Sequence, residues 1–295
     1  MKSYLTQITV LASALVLTAT AQPNSTTAMG QKFADPRPAK TLRVLLVGAG
    51  SSHDFPKFFL GSDAVTLKAA AGMDVAATPN LEEALSLLPQ ADVLVFSGNH
   101  DQFGKDEFQK ALNDFADKRK GIVVLHAGTW DHTPWQGFNE RFVGGKTPSH
   151  GKGEFEVTIK DAKHPIMKGV PTTFKITDEN YRFEIGSKTK VEVLAENAPD
   201  GGKQPHPSVW LVKDRQARIV GITLGHDALA HDNPAFKAIL VNAVNWVAGR
   251  LQPEAPHSWV QFLQNRLLTR LKIWMLPCGS LHSQKNNGRR MKAEE

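Results

Sequence analysis

The chain has 295 residues, of which 41% are hydrophobic and 22% are charged, as is usual for a soluble protein with a buried core. Its formal net charge of +6 is concentrated near the ends, since residues 251–295 hold seven Lys or Arg against three acidic residues. The body over residues 22–250 is therefore nearly neutral, which argues against a nucleic-acid-binding surface.

Residues 1–21 have the pattern of a secretory signal peptide. Lys2 precedes an apolar stretch from Ile8 to Thr20, and Ala19-Thr20-Ala21 is a cleavage site of the A-x-A type. The alternatives are a short buried helix or a membrane anchor, although a bilayer crossing needs about 20 apolar residues. The sequence thus predicts export to the periplasm or the extracellular space, with no membrane span left after cleavage.

After a polar, proline-containing stretch over residues 22–40, which predicts a linker, the chain alternates between strand and helix. Apolar runs predict strands over residues 42–47, 73–77, 91–96 and 121–125. Helical spacing predicts helices between them over residues 55–71, 81–88 and 105–118. A long loop over 130–150 then leads to strands at 153–159, 190–195, 207–213 and 217–223 and a helix at 234–247. This alternation predicts one α/β domain over residues 41–250, a doubly wound and mostly parallel sheet flanked by helices.

Residues 251–295 do not follow this alternation. Residues 259–274 could form a basic amphipathic helix, and the remainder has the composition of a disordered segment. One interpretation is a helix that binds a membrane surface or a partner. The other is an extension that has no catalytic role. The single cysteine, Cys278, lies here, so the body can have neither a disulfide nor a cysteine nucleophile.

Histidines follow the predicted strands at the point where each strand ends. His53, His126 and His226 come after three of these strands, and His100 follows a fourth as a weaker candidate. Ligands of open α/β sheets bind outside the carboxyl ends of the strands, so we expect the first three to form the functional centre. Five other histidines are not expected in the site: His164, His206, His231, His257 and His282.

Asp178 and Glu179 supply acidic partners for these histidines. Neighbouring side chains of an extended chain point to opposite sides, so only one of the two should face the site. Imidazoles and a carboxylate can bind a divalent metal such as Zn, Mn or Fe, here through His53, His126 and His226. Alternatively, His126 and His226 act with a carboxylate as general acid and base. The sequence leaves both mechanisms open.

Other polar and aromatic residues are candidates for substrate binding. Trp130 and Tyr181 could form an apolar platform for a sugar ring or could pack in the core. Gly48 and Gly50 lack the third glycine and the acidic residue of a dinucleotide fingerprint, so no nucleotide cofactor is expected. The predicted substrate-binding residues are His53, Asp54, Asn99, Trp130, His150, Tyr181 and Asp227.

Several of these segments, in this order, resemble the trehalose-utilisation (ThuA-like) family. They include VLLVGAGSSHDF (44–55), GIVVLHAGTW (121–130), ITDENYRF (176–183) and PSVWLVKDRQARIVGITLGHD (207–227). The resemblance covers about residues 42–249 and implies a fold similar to class I glutamine amidotransferases, related to flavodoxin-like sheets. It also implies a role in the catabolism of trehalose-like disaccharides or their keto derivatives.

The comparison with amidotransferases shows what this chain lacks. Those enzymes have a cysteine on the sharp turn after a strand and a later His-Glu pair. His126 takes the turn position here, and His226-Asp227 resembles the late pair. Glutamine hydrolysis through a thioester is therefore not available.

The sequence predicts a sugar-processing enzyme, a hydrolase, lyase or isomerase, that uses a histidine and carboxylate site. One alternative is a non-catalytic carbohydrate-binding protein that uses the same cleft. Another is a structural module in which the histidines only cap strand ends.

Overall fold

A computed structural model describes residues 31–131, 135–197 and 204–252, and the structural statements below concern these residues. Most strands form one nine-stranded sheet in the order β2-β1-β3-β4-β11-β10-β9-β6-β7, and β5 pairs with β8 separately. The strands are β1 (Leu42–Val47), β2 (Met73–Thr78), β3 (Val93–Phe96), β4 (Gly121–Leu125), β5 (Gly145–Lys146), β6 (His150–Ile159), β7 (Thr173–Tyr181), β8 (Glu184–Ile185), β9 (Val191–Asn197), β10 (His206–Lys213) and β11 (Arg218–Ile222). The helices are α1 (Asp63–Ala69), α2 (Leu81–Leu87), α3 (Asp106–Asp117), α4 (Gln136–Phe138), α5 (Ala228–His231) and α6 (Pro234–Val247).

The strands β2-β1-β3-β4-β11 pair in parallel, in the order 2-1-3-4-5 of a flavodoxin-like sheet. Both faces of these strands are buried, which explains their continuous apolar sequences. Val44 and Leu46 contribute to one hydrophobic layer with α1 and α6, whereas Leu45 and Val47 contribute to the other with α2 and α3. The predicted α/β fold class is therefore confirmed.

The other half of the sheet is antiparallel. The sheet therefore contains more antiparallel pairs than the predicted, mostly parallel arrangement. Each of the pairs β11–β10, β10–β9, β9–β6 and β6–β7 is antiparallel. The reason is the connections: no α-helix lies between β6 and β7 or between β10 and β11, so these strands return as hairpins.

Four antiparallel steps bring β7 back to the direction of β11, so the carboxyl ends of both strands point to the same edge of the sheet. The end of β7 contacts the turn after β11, where the backbone N–H of Gly225 donates to Asp178 Oδ2 at 2.8 Å. Residues 177–181 form the last part of β7, a strand for which the sequence analysis gave no bounds. This contact assembles the candidate site.

Two other segments differ from the predicted boundaries. The helix predicted over residues 55–71 begins with a wide turn at Phe58–Ser62 and continues as α1 only to Ala69. Inside the predicted linker, Gln31 pairs with Ala77 at the edge of β2, and Phe33 is buried in the α2 and α3 layer.

The predicted signal peptide and most of the predicted basic tail lie outside the described residues. Within the described ranges, no helix is long and apolar enough to cross a membrane.

Candidate functional site

Three histidines and one glutamate, from segments far apart in the sequence, meet at this edge of the sheet. His53, His126, His226 and Glu179 each present one ligand atom, and these atoms all lie within 4.8 Å of one another. The histidines follow β1, β4 and β11, and Glu179 lies near the end of β7. The structure thus brings together the three histidines predicted as metal ligands and one of the two predicted carboxylates.

Four distances inside this cluster are close to those between ligands of one metal ion. Glu179 Oε2 lies 3.3 Å from His126 Nε2, 3.2 Å from His226 Nδ1 and 3.6 Å from His53 Nε2. The Nε2 atoms of His53 and His126 are 3.1 Å apart. Ligand atoms at the usual zinc distance in a tetrahedron are about 3.3 Å from one another.

His126 is held in one orientation by the backbone. The residue directly follows β4, has a φ of +34° and is completely buried. Its Nδ1 lies 2.5 Å from the carbonyl oxygen of Thr223, which can only accept a hydrogen bond. Nδ1 therefore carries the hydrogen of the neutral ring. Burial lowers the pKa of His126 to about 4, so the ring is neutral at pH 7, with the lone pair of Nε2 directed into the cluster.

Glu179 faces this lone pair as a charged carboxylate. Burial works against its charge, whereas N–H groups of surrounding imidazoles would lower the pKa of Glu179 below its usual range, a contribution that the unprotonated Nε2 of His126 cannot make. A carboxylate oxygen and an unprotonated nitrogen are both acceptors, so their approach within 3.3 Å is repulsive unless a cation lies between them. His226 Nδ1 is also buried, and among the described residues no hydrogen bond of good geometry reaches it.

Neighbouring side chains orient His53. Its Nδ1 lies 2.6 Å from Ser52 Oγ, which also accepts a hydrogen bond from Asn99 Nδ2 at 3.0 Å. The ring edges of Phe55 and Phe59 pack against the imidazole at centroid distances of 5.5 and 5.8 Å. With Nδ1 engaged by Ser52, Nε2 is the nitrogen that faces the cluster.

Asp178, the other predicted carboxylate, lies outside the cluster and points to the opposite side of β7. It is buried and accepts backbone hydrogen bonds from Gly225, His226 and Glu179 at 2.8, 3.0 and 2.7 Å. Burial raises the pKa of Asp178 to about 6. These hydrogen bonds hold the turn that contains His226, so Asp178 stabilises the site without belonging to the cluster.

A cavity of about 390 Å³ opens beside the cluster and contains several of the predicted substrate-binding residues. It is lined by Ser52, His53, Asn99, Trp130, His150, Glu179 and Tyr181. Trp130 packs against Tyr181 and His150 at centroid distances of 5.3 and 5.6 Å. Tyr181 is 2% exposed and stacks on His126 at 4.2 Å, so most of this ring packs in the core.

The remaining candidates do not line this cavity. Asp54 accepts a hydrogen bond from the backbone of Lys57, and Asp227 caps α5 through Leu229. His100 caps the short helical turn that begins at Asp101. Their local contacts are those of capping residues.

Lys152 and Thr223 belong to the site although the sequence analysis did not single them out. Lys152 Nζ lies 3.0 Å from His226 Nε2, and Lys152 pairs with Glu179 across the β6–β7 hairpin. The register of that hairpin would have indicated Lys152. Thr223 acts through its backbone carbonyl, and a side-chain motif cannot indicate such a contact.

Comparison with known proteins agrees with the sequence resemblance. Two solved structures similar to this chain are ThuA-like proteins from Parabacteroides merdae, with TM-score 0.62 and 19% identity, and from Bacteroides uniformis, with TM-score 0.59 and 18% identity. The first alignment covers 74% of this chain and 94% of that protein, and the second covers 72% and 95%. At these identities the likeness shows the fold alone. No curated protein sequence matches the chain significantly.

The family assignment comes from the sequence itself. Residues 43–247 match the protein family described as trehalose utilisation. This match spans well over half of the chain and confirms the resemblance seen in the strand-end motifs. The protein therefore belongs to the trehalose-utilisation (ThuA) family.

Proposed function

We propose that His53, His126, Glu179 and His226 bind one divalent metal ion and that the protein is a metal-dependent enzyme acting on a carbohydrate. The observation that supports the ion most directly is the approach of two acceptors, His126 Nε2 and Glu179 Oε2, within 3.3 Å. Three imidazoles and one carboxylate are ligands that Zn²⁺, Mn²⁺ and Fe²⁺ accept.

The residues around this centre have separate tasks. A divalent ion held by such ligands supplies a Lewis acid that can activate water or polarise a carbonyl oxygen. Thr223, Ser52 and Asp178 orient the ligands through the contacts described above, as partners beyond the ligands do in other metal sites. His150 borders the cavity with its Nδ1 3.7 Å from Glu179 Oε1, where it could exchange a proton with a bound substrate.

The cavity supports a carbohydrate as substrate. Trp130 lines this cavity with an aromatic ring, and Asn99 and Ser52 line it with polar groups. Such a mixture of one apolar face and a few polar groups is typical of small-molecule sites. Together with membership of a trehalose-utilisation family, it favours a disaccharide or an oxidised sugar and a hydrolase, lyase or isomerase reaction.

Metal analysis tests this proposal. After EDTA treatment and reloading, we expect about one zinc or manganese ion per chain in the wild type and a large loss in His126→Gln. His164→Gln is the matched control, since His164 is also largely buried but caps a helical turn outside the site. Equal metal content in both variants, or no bound metal in the wild type, would contradict the proposal.

The second candidate function is carbohydrate binding without catalysis. Trp130 favours it, because an aromatic ring that lines the cavity can pack against a sugar without a metal ion. Calorimetry with trehalose and related disaccharides separates the two functions. If the metal-free protein binds sugar as tightly as the loaded protein and Trp130→Ala abolishes binding, plain binding is supported. If metal removal abolishes turnover of a disaccharide or keto-sugar, the enzyme is supported.

A further inference from the structure

A buried His–Asp pair is connected to the histidine cluster through the ring of Phe59. His231, at the end of α5, and Asp63, at the start of α1, are each 1% exposed, and His231 Nδ1 lies 2.7 Å from Asp63 Oδ1. The ring of His231 is enclosed by aromatic side chains, with Phe58 stacked at 5.6 Å and Phe59 and Phe236 edge-on at 5.0 and 5.2 Å. Burying such polar groups is costly unless they are paired, so the pair calls for a structural or functional reason.

Both ring nitrogens of His231 are engaged by acceptors. Nε2 lies 3.0 Å from the carbonyl oxygen of Gly225, which can only accept, and Nδ1 faces the Asp63 carboxyl. The bond to Gly225 therefore requires a hydrogen on Nε2. A second proton lies between Nδ1 and Asp63, so the pair as a whole is neutral whichever of the two holds that proton.

The peptide group of Gly225 is thereby fixed from both sides. Its carbonyl oxygen accepts from His231, while its N–H donates to Asp178 at 2.8 Å. Gly225 has a φ of +118°, a conformation that other residues rarely adopt, and the next residue is the candidate ligand His226. Any shift of this peptide would move the His226 ring relative to Glu179.

The same pair is connected to the other two histidines through Phe59. This ring packs against His231 at 5.0 Å, against His53 at 5.8 Å and, stacked, against His126 at 6.1 Å. Asp63 and Phe59 belong to consecutive turns of one segment. The buried residues Asp63, His231 and Phe59 therefore contact His53, His126 and the peptide that precedes His226.

We propose that Asp63 and His231 are a positioning pair that holds the Gly225 peptide and so presents His226 to the metal ion. This inference rests on the proposed metal centre, since the ion gives the position of His226 its importance. Neither residue touches the cluster atoms themselves. The pair acts through Gly225 and Phe59.

Two variants and one control test the pair. His231→Gln can donate to only one of the two acceptors, and Asp63→Asn keeps the size of the side chain but replaces the carboxyl group that shares a proton with Nδ1. Asn242→Ala is the control. The Asn242 side chain also holds backbone in place, by donating hydrogen bonds to the carbonyl oxygens of Ile166 and Lys168, and neither of these residues belongs to the histidine cluster. Amide hydrogen exchange of residues 224–228 is measured in metal-free protein, and zinc affinity is measured by competition with a chromogenic chelator.

We expect amide exchange at residues 224–228 to accelerate about 10-fold more in both variants than amide exchange in β4 does. The zinc dissociation constant should rise about 10- to 100-fold. The control should change exchange uniformly and leave the zinc dissociation constant unaltered. If exchange at residues 224–228 accelerates only as much as exchange in β4, or if the zinc affinity of the variants equals that of the wild type, the inference is overturned. A wild type that binds no zinc would overturn the proposed function instead, and hydrogen exchange alone would then decide whether the pair holds the turn.

Discussion

His126 combines a constrained backbone with an unprotonated nitrogen in a fully buried position. Its φ of +34° costs about 1–2 kcal/mol for a residue with a Cβ atom. Strain of this kind is retained at sites where the surrounding structure requires one direction of a side chain. Here the turn after β4 directs the imidazole at Glu179, and the Thr223 carbonyl selects which nitrogen faces it.

The low pKa of His126 predicts how stability depends on pH in the metal-free protein. The folded state protonates this ring only near pH 4, whereas the unfolded chain does so near pH 6.5. The unfolded state therefore binds more protons between these values. The contribution of neutral His126 to the free energy of unfolding is complete above about pH 7 and is lost as the pH falls toward 4.

Urea unfolding in EDTA at pH 7.5 and pH 5 measures this effect. The free energy of unfolding of the wild type should fall by about 2 kcal/mol more than that of His126→Gln, in which the titrating group is absent. Titrating groups that do not contact His126 cancel in this difference. The same pH dependence in both proteins would show that His126 is not buried in its neutral form.

At the scale of secondary structure, the β6–β7 hairpin determines which carboxylate enters the site. Side chains alternate along β7, so Glu179 points into the cluster and Asp178 points to the turn after β11. The sequence predicted this division, because adjacent residues of a strand cannot face the same side. It did not predict which of the two faces inward, since that depends on the register of a hairpin and on contacts with a distant strand.

The parallel half of the sheet could be predicted for a simpler reason. Its strands are apolar on both faces, and His53, His126 and His226 follow them at their carboxyl ends. Sequence reasoning excluded His231, because it follows no strand and no motif marks it. Its partner Asp63 lies 168 positions away, and only the folded structure brings the two side chains together.

The Asp178 carboxylate connects β7 to the turn after β11. It accepts three backbone hydrogen bonds, and an amide at this position would turn one acceptor into a donor facing a backbone N–H. We expect Asp178→Asn to lower the free energy of unfolding by about 1–3 kcal/mol and to weaken metal binding. Asp227→Asn is the control, because Asp227 is a less buried cap and Asn replaces Asp well there. Equal, small losses in both variants would mean that Asp178 does not hold the turn.

At the scale of the molecule, the fold collects distant residues at one edge of a single sheet. Residues near positions 53, 126, 179 and 226 meet because β1, β4, β7 and β11 all end there. Ligand sites of doubly wound sheets lie at this edge for the same reason. The antiparallel extension contributes the carboxylate that the parallel half does not supply.

The export of the protein remains a proposal supported by the pattern of residues 1–21. Expression in a host with a secretory pathway should yield a mature chain that begins at Gln22, as cleavage after Ala21 requires. Mass spectrometry of the purified protein measures this directly. A chain that keeps residues 1–21 in the membrane fraction would support the anchor instead.

The measurement that tests the metal centre most directly is X-ray absorption spectroscopy of the zinc-loaded protein. We predict three imidazole ligands and one or two oxygen ligands at about 2.0–2.2 Å, with the imidazole signal reduced in His53→Ala and His226→Ala. Sulfur scattering from Cys278, or zinc without imidazole ligands, would contradict the assignment of His53, His126, Glu179 and His226 as one metal site.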